Sequence, residues 1–188
     1  QPENHGKSYP SPALWARPDY LLHKIIETNG NAVLSLNQAQ AKKDSRMVKP
    51  ALIITDMLRD FLDPDGALFV GEAGVQIIPF VAQKIAEMRA QGALMIFLCD
   101  SHDPDDREFD RFPPHCVRHT PGAEIIPQLK PQPGDYRVEK TRFSGFYNTD
   151  LEEILKREQV TEVHLVGVCT SICVMETARD LVDRDYPV

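Results

Sequence analysis

Apolar residues occur along the chain in short continuous runs that alternate with segments of helical character. A continuous apolar run bounded by turn residues is typical of a strand buried on both faces of a parallel sheet. Four runs predict strands, and they cover 50–56, 93–99, 136–139 and 163–168. Helices are predicted over 74–91, over 150–159 and from Ile172 onward. Strand, helix and strand in succession define a right-handed parallel crossover, so the pattern predicts an α/β domain with a parallel sheet.

The first 46 residues do not share this pattern. They begin with a polar, proline-containing segment, and one short helix is predicted over 19–28. Met47 stands shortly before the first predicted strand. We therefore expect residues 1–46 to be an extension and residues 47–188 to form the domain.

Composition narrows the classes of protein. The 188 residues include 42% hydrophobic residues, enough for a core in one domain. The formal net charge of −7 argues against a nucleic-acid or anionic-membrane partner. The apolar runs are too short to span a bilayer, and we expect no secretory signal. None of the four cysteines belongs to a CxxC pair, so we expect a reducing, cytoplasmic setting.

Three residues with catalytic potential stand at or just after predicted strand ends, and they are Asp56, Lys140 and Cys173. Taken singly, each has an ordinary interpretation: a loop-start acid, an exposed lysine, and a cysteine packed under the sheet. The carboxyl ends of parallel strands meet at one edge, however, so we expect the three to gather there. A cysteine in the first turn of a helix lies near unpaired N–H groups, which favour a thiolate. A thiolate nucleophile, a carboxylate to take its proton and an ammonium to balance charge together suit amide hydrolysis.

A second group of polar residues follows the predicted strand over 93–99. It contains two carboxylates and two imidazoles, and they are Asp100, His102, Glu108 and His115. Converging at a strand end, these groups would suit one divalent metal ion such as Zn²⁺, Mn²⁺ or Fe²⁺. Their spacing matches no compact zinc motif, so a solvated acidic loop with two incidental histidines stays open as the alternative.

Five segments of the chain carry a resemblance to a known family: ALIITDMLRDF, CDSHDPDDREF, FPPHCVRHTPGAE, VEKTRFSGFYNTDL and GVCTSICVMETARDL. In this order and spacing they resemble the isochorismatase-like cysteine hydrolase superfamily, and within it the nicotinamidase/pyrazinamidase group. The resemblance runs from Met47 to the C-terminus. It implies a Rossmann-like α/β fold, a parallel sheet flanked by helices on both faces, with the family's last strand and helix missing after Val188.

The resemblance also implies roles for individual residues. Asp56 matches the general acid/base, Lys140 the triad lysine and Cys173 the nucleophile. The backbone N–H groups of Cys169 and Cys173 are candidates to hold an oxyanion, and the Val168–Cys169 bond matches the position of a cis peptide in the family.

The same resemblance implies a metal and an aromatic pocket. The implied metal ligands are Asp100, His102 and His115, with Glu108 at a position where many members have a further histidine. The implied aromatic residues around the substrate ring are Phe61, Phe112 and Tyr147.

Three functions are therefore considered. The first is a metal-containing nicotinamidase that converts nicotinamide and water to nicotinate and ammonia, as in NAD salvage. The second is a metal-independent amidohydrolase for a ureido or carbamoyl compound, because Ser171 stands where nicotinamidases commonly have Asp. The third is a non-catalytic binding protein. The resemblance also implies a homo-oligomer.

Overall fold

The sheet is parallel throughout. The computed structural model of the protein describes residues 48–188, so the helix predicted over 19–28 lies outside the described residues. Within them the strands are β1 (Pro50–Thr55), β2 (Leu94–Asp100), β3 (Tyr136–Lys140) and β4 (Glu162–Gly167). Every pairing is parallel, and the order is β3-β2-β1-β4. The predicted α/β fold with a parallel sheet is confirmed.

The helices of the described region are α1 (Arg59–Leu62), α2 (Glu72–Gln76), α3 (Ile78–Ala90), α4 (Leu151–Arg157) and α5 (Met175–Val182). Short 3₁₀ turns cover Arg107–Asp110, Pro121–Ala123 and Pro127–Leu129, and a π-helical turn covers Thr170–Val174. No helix among residues 48–188 is long and apolar enough to cross a membrane.

The helix predicted over 74–91 is in fact two helices, and the break falls at Ile77. Pro79 lies in the first turn of α3. Because proline has no backbone N–H, it cannot continue the hydrogen-bond ladder of α2, and it is well suited to begin a new helix.

Helices cover both faces of the sheet because side chains alternate along each strand. On β1, Leu52 and Ile54 belong to the core formed with Val81 and Met88 of α3. The intervening residues belong to a second core formed with α4 and α5, whose members include Ala51, Ile53, Ile154, Leu155 and Leu181. Full burial of each large aliphatic side chain contributes roughly 1.5–3 kcal/mol. The predicted arrangement of helices on both faces is confirmed.

The strand order creates a switch point between β1 and β4. The chain passes from β1 outward to β2 and β3, and then returns to the other side of β1. A crevice outside the carboxyl ends of the strands at such a point is where ligands bind in open α/β sheets. The two strand ends approach closely there: Gly167 has φ 142°, and a Cβ on it would overlap the carbonyl of Thr55. Only glycine fits this position.

Candidate active site

The structure brings Asp56, Lys140 and Cys173 together at the carboxyl edge of the sheet. The Lys140 Nζ lies 3.0 Å from Asp56 Oδ2 and also donates a hydrogen bond to Asp100 Oδ1. Asp56 Oδ1 accepts the backbone N–H of Asp100 at 2.9 Å. The Cys173 sulfur and carboxylate oxygens of Asp56 and Asp100 all lie within 4.8 Å of one another. The thiol, the carboxylates and the ammonium therefore share one small volume.

These charges are buried and do not balance. Two carboxylates, Asp56 and Asp100, face the single ammonium of Lys140, and all three residues are at least 97% buried (0%, 3% and 1% exposed). Burial, followed by the neighbouring Asp100 carboxylate, raises the pKa of Asp56 to about 6 against the opposing effect of Lys140. Burial alone would raise the pKa of Asp100, but Lys140 and His102 together outweigh it and that pKa is lowered. Burial would lower the pKa of Lys140, but the two carboxylates hold it well above its usual range. Lys140 is thus charged, and Asp56 is the carboxylate that most readily takes a proton.

The sequence predicted Cys173 in the first turn of an α-helix, and the structure differs. Cys173 lies in the π-helical turn that precedes α5, and only 5% of its surface is exposed. Burial, and then the Asp56 carboxylate, raise the pKa of the thiol. Burial therefore opposes the thiolate that the sequence predicts, and it leaves the thiol next to the Asp56 carboxylate, which can accept its proton. Thr170 and Ser171 are exposed and provide no side-chain cap for this turn.

The turn before Cys173 is built on a left-handed residue. Cys169 has φ 58° and ψ 50°, and its carbonyl accepts the N–H of Ile172 at 3.0 Å. The Val168–Cys169 bond is trans, since no cis peptide occurs among residues 48–188. Within the same residues the N–H of Cys169 has no hydrogen-bond acceptor. An unpaired N–H beside the thiol is a candidate oxyanion donor.

Three potential metal-binding atoms face one another beside these groups. The Oδ2 of Asp100 lies 3.9 Å from His102 Nε2 and 3.8 Å from His115 Nε2. The Nδ1 of His115 donates to the carbonyl of Pro113 at 2.8 Å, which leaves its Nε2 with a free lone pair. His102 Nδ1 likewise lies 3.1 Å from a carboxylate oxygen of Asp106, and its Nε2 is buried without a partner.

Lone pairs of neutral imidazoles that face a carboxylate oxygen can all be satisfied by one bound cation. Asp100, His102 and His115 therefore fit a divalent metal ion, because two imidazoles and a carboxylate are common ligands for Zn²⁺, Mn²⁺ and Fe²⁺. The nearby set of Asp56, Asp100 and Cys173 fits a metal less well, since the Lys140 ammonium already lies against both of its carboxylates.

Glu108, the fourth predicted ligand, stands apart from this set. It lies in the 3₁₀ turn Arg107–Asp110, and its Oε2 is 3.8 Å from Arg142 Nη1. Its side chain is only 8% exposed, and burial, followed by the Asp100 carboxylate, raises its pKa. Glu108 lines the same cavity as Asp100 and His115 but does not complete their cluster.

A short backbone bridge holds the two histidines together. The N–H of His102 donates to the carbonyl of Cys116 at 3.0 Å, and the N–H of Arg118 donates to His102 at 2.8 Å. Asp60 anchors the same segment because its Oδ2 accepts the N–H of Cys116 at 2.6 Å. Sequence reasoning missed Asp60, because nothing in its spacing from His115 signals a contact across so many residues.

The cavity over Cys173 is small and lined by aromatic rings. Its volume is about 40 Å³, and it is lined by Phe61, Leu68, Asp100, Glu108, Phe112, His115, Phe143, Cys169, Ile172 and Cys173. Two of the three predicted aromatic residues, Phe61 and Phe112, are among these. The third is not: Tyr147 is 52% exposed and lies outside the lining. Phe143, three residues beyond the end of β3, supplies the other ring and lies edge-on to Phe112 with centroids 6.4 Å apart.

The parallel α/β fold and the residues at its carboxyl edge are those of the isochorismatase-like hydrolases. The isochorismatase domain family matches residues 50–188, and the chain belongs to this family. An isochorismatase family protein named PncA from Bacillus subtilis is 38% identical over 151 residues, which cover 75% of this chain and 82% of the relative. A protein from Arabidopsis thaliana described as a probable inactive nicotinamidase is 33% identical over 147 residues, with 73% and 74% covered.

Solved structures of the family superpose on the chain. N-carbamoylsarcosine amidase from Thermoplasma acidophilum has a TM-score of 0.69 and 34% identity, with 74% of this chain and 79% of that chain covered. The pyrazinamidase of Pyrococcus horikoshii in complex with zinc has a TM-score of 0.68 and 37% identity, with 73% and 80% covered. These relatives support a hydrolase, and they differ in substrate.

Proposed function

We propose that this protein is a metal-containing nicotinamidase, which hydrolyses the amide of nicotinamide to nicotinate and ammonia. One observation carries the proposal: the thiol–carboxylate–lysine set lies directly beside three facing metal-binding atoms, those of Asp100, His102 and His115, and Cys173, Asp100 and His115 line one cavity. The resemblance of the sequence to nicotinamidases supports it, as does a zinc-containing pyrazinamidase among the structural relatives.

The first chemical step uses the proton held on Cys173. Asp56 accepts that proton through Oδ2, which is buried and makes no hydrogen bond, only the 3.0 Å charge contact with Lys140. The ammonium of Lys140 stays charged and offsets the negative charge that moves between sulfur and carboxylate. The thiolate then attacks the amide carbonyl, while the N–H groups of Cys169 and Cys173 stabilise the oxyanion.

The second step releases the amine and regenerates the enzyme. Asp56 returns its proton to the departing nitrogen, which leaves as ammonia and leaves a thioester on Cys173. A water molecule, deprotonated by Asp56, attacks the thioester; the C–S bond breaks, nicotinate departs, and Asp56 returns the proton to the Cys173 sulfur. A carboxyl with a pKa of about 6 can perform both transfers, because it changes protonation state near neutral pH.

Asp100, His102 and His115 would hold the metal ion. A divalent ion at this position supplies a Lewis acid that can bind the ring nitrogen of the substrate and so orient its amide toward Cys173. The remaining positioning comes from the rings of Phe61 and Phe112, which border the cavity.

A second candidate function is supported by the size of the cavity. A volume of about 40 Å³ is far below the roughly 300–1,000 Å³ of an ordinary small-molecule pocket, so a pyridine ring needs the aromatic side chains that line the cavity to move. A ureido or carbamoyl group requires less space, and N-carbamoylsarcosine amidase is a structural relative. This candidate is a metal-independent amidohydrolase, and Ser171 is consistent with it.

A comparison of two substrates separates the candidates. We would measure ammonia release from nicotinamide and from an N-carbamoyl amino acid, each before chelation, after chelation and after zinc is restored. A nicotinamidase prefers nicotinamide and loses that activity reversibly with the metal. Turnover of the carbamoyl compound alone, unchanged by chelation, would replace the first candidate by the second. If neither substrate reacts and an alkylating agent modifies Cys173 no faster than an ordinary thiol, the chain is a non-catalytic relative.

The division of the chain remains part of this proposal. We assign the hydrolase to residues 47–188 and treat residues 1–46 as an extension outside the family match, which begins at residue 50. Limited proteolysis that releases an active fragment starting near Met47 would support the assignment.

A further inference from the structure

The carboxylate of Asp106 contacts three different parts of the site. Its Oδ2 lies 3.1 Å from Nδ1 of His102, and its Oδ1 accepts the backbone N–H of Glu108 at 2.8 Å. The Nη1 of Arg142 donates to both oxygens, at 2.9 and 3.2 Å. The side chain is only 9% exposed. A nearly buried carboxylate with every oxygen engaged is not an ordinary loop acid.

The contact with His102 decides which ring nitrogen is free. A carboxylate only accepts hydrogen bonds, so Nδ1 carries a proton, and in the neutral ring Nε2 then keeps its lone pair. That Nε2 is the buried, unpartnered atom that faces Asp100. Without Asp106, the ring could rotate or carry its proton on the other nitrogen, and either change would remove the lone pair from the metal site.

Asp106 also positions a second residue, Glu108, through the hydrogen bond that it accepts from the backbone N–H of Glu108. Asp106 is the N-cap of the 3₁₀ turn Arg107–Asp110, and this turn places Glu108 at the cavity. Arg142 lies just beyond β3, two residues after Lys140, and its Nη1 also lies 3.8 Å from Glu108 Oε2. The Asp106–Arg142 pair therefore ties the loop that carries the metal ligands to the strand that carries the catalytic lysine.

We propose that Asp106, held in place by Arg142, is a positioning residue that fixes His102 for metal binding and holds the turn that places Glu108 at the cavity. This inference rests on the proposed function, because it requires the metal site at Asp100, His102 and His115. Asp106 is not proposed as a ligand, since its oxygens are occupied by His102, Glu108 and Arg142.

The test separates positioning from capping with two variants of one residue. Asp106→Ser retains an oxygen that can cap the turn but is too short to reach His102. Asp106→Asn retains an oxygen that can accept the His102 Nδ1–H. Asp105→Ala is the matched control, because Asp105 is an exposed neighbour of the same charge. Zn²⁺ affinity is measured by competition with a chromogenic chelator, and the Co²⁺-loaded proteins are compared by their visible absorption.

We expect Asp106→Ser to bind Zn²⁺ about 10–100-fold more weakly than wild type, as for other side chains that hydrogen-bond a metal-bound histidine. Asp106→Asn should recover most of this loss, Asp105→Ala should bind normally, and the Co²⁺ spectrum should change only in the serine variant. Should the serine variant fail to fold, Arg142→Gln provides the test, because the Arg142 side chain is 40% exposed and its loss should weaken Zn²⁺ binding while the domain stays folded.

Two outcomes would overturn the inference, and only the second would also overturn the proposed function. Wild-type affinity and spectrum in Asp106→Ser, or in Arg142→Gln where the serine variant does not fold, would show that Asp106 does not position His102, and the proposed function would be untouched. A wild-type protein that binds neither Zn²⁺ nor Co²⁺ would overturn both.

Discussion

The ion pairs at the two ends of β3 differ in charge balance and in burial. Before its start, the guanidinium of Arg89 forms two parallel hydrogen bonds of 2.8 Å with Asp135, one base for one acid. At its other end, Lys140 faces both Asp56 and Asp100. The first pair is partly open to solvent at Arg89, which is 28% exposed, whereas the side chain of Lys140 is fully buried.

This difference separates a structural ion pair from a reactive one. In the pair at the start of β3, one positive charge neutralises one negative charge, so no further proton or cation is needed. The group at the end of β3 has an excess of negative charge in a buried place, which is costly unless a proton or a cation neutralises it. The raised pKa of Asp56 and the facing lone pairs of the two histidines are both consequences of that excess.

The largest effect is expected from Lys140→Met. The substitution leaves Asp56 and Asp100 buried without their counter-charge, so the free energy of unfolding should fall by about 3–5 kcal/mol. Ammonia release should be lost with it. Denaturant unfolding of the metal-free protein measures the first quantity, and Arg89→Met is the control at the other end of the strand. Equal losses of stability in the two variants would contradict the distinction between the two ends.

Metal binding should also stabilise the protein measurably. At a free Zn²⁺ concentration 100-fold above its Kd, we expect a gain of about 2.7 kcal/mol in the free energy of unfolding relative to the chelated protein. His115→Ala should abolish the gain, because it removes one of the three facing atoms. His119→Ala should preserve it, since His119 is exposed. A thermal melt with and without Zn²⁺ is sufficient, and an equal gain in both variants would count against this site.

The smallest effect is expected from Asp135→Asn. Burial would raise the pKa of Asp135, but Arg89 and the backbone N–H of Gln132 together outweigh it and the pKa is lowered. A lowered pKa stabilises the fold above the unfolded-state value near 3.8, and this contribution disappears as pH falls through the folded-state pKa. The variant should be about 1 kcal/mol less stable at pH 7, and the difference from wild type should shrink below pH 4. Unfolding curves at both pH values provide the measurement, and a constant difference would show that the pair has another role.

Much of the site could be predicted from where apolar runs end. Asp56, Asp100 and Lys140 were found because each closes or directly follows a run that had to be a buried strand, and parallel strands align their carboxyl ends. The metal set depended on the family resemblance, since the spacing of His102 and His115 does not reveal the backbone bridge that joins them.

Other details are set by contacts that the sequence does not show. The aromatic wall contains Phe143 instead of Tyr147, because the direction of side chains in that loop depends on tertiary packing. Burial beside Asp56 raises the pKa of the Cys173 thiol, an effect opposite to that expected for a helix start. Nothing in the sequence indicated a positioning role for Asp106, because it is one of several acids in an acidic loop and its partners are not visible in the sequence.

The most direct test of thiol chemistry at the end of β3 is ammonia release by Cys173→Ala. Wild type, this variant and Cys99→Ala would be assayed with nicotinamide and with an N-carbamoyl amino acid, with unfolding curves to confirm that each protein is folded. We expect activity to fall by more than about 10³-fold in Cys173→Ala and to persist in Cys99→Ala, whose thiol lies elsewhere in the core. A folded Cys173→Ala protein that releases ammonia at the wild-type rate would contradict a thiol nucleophile at this site.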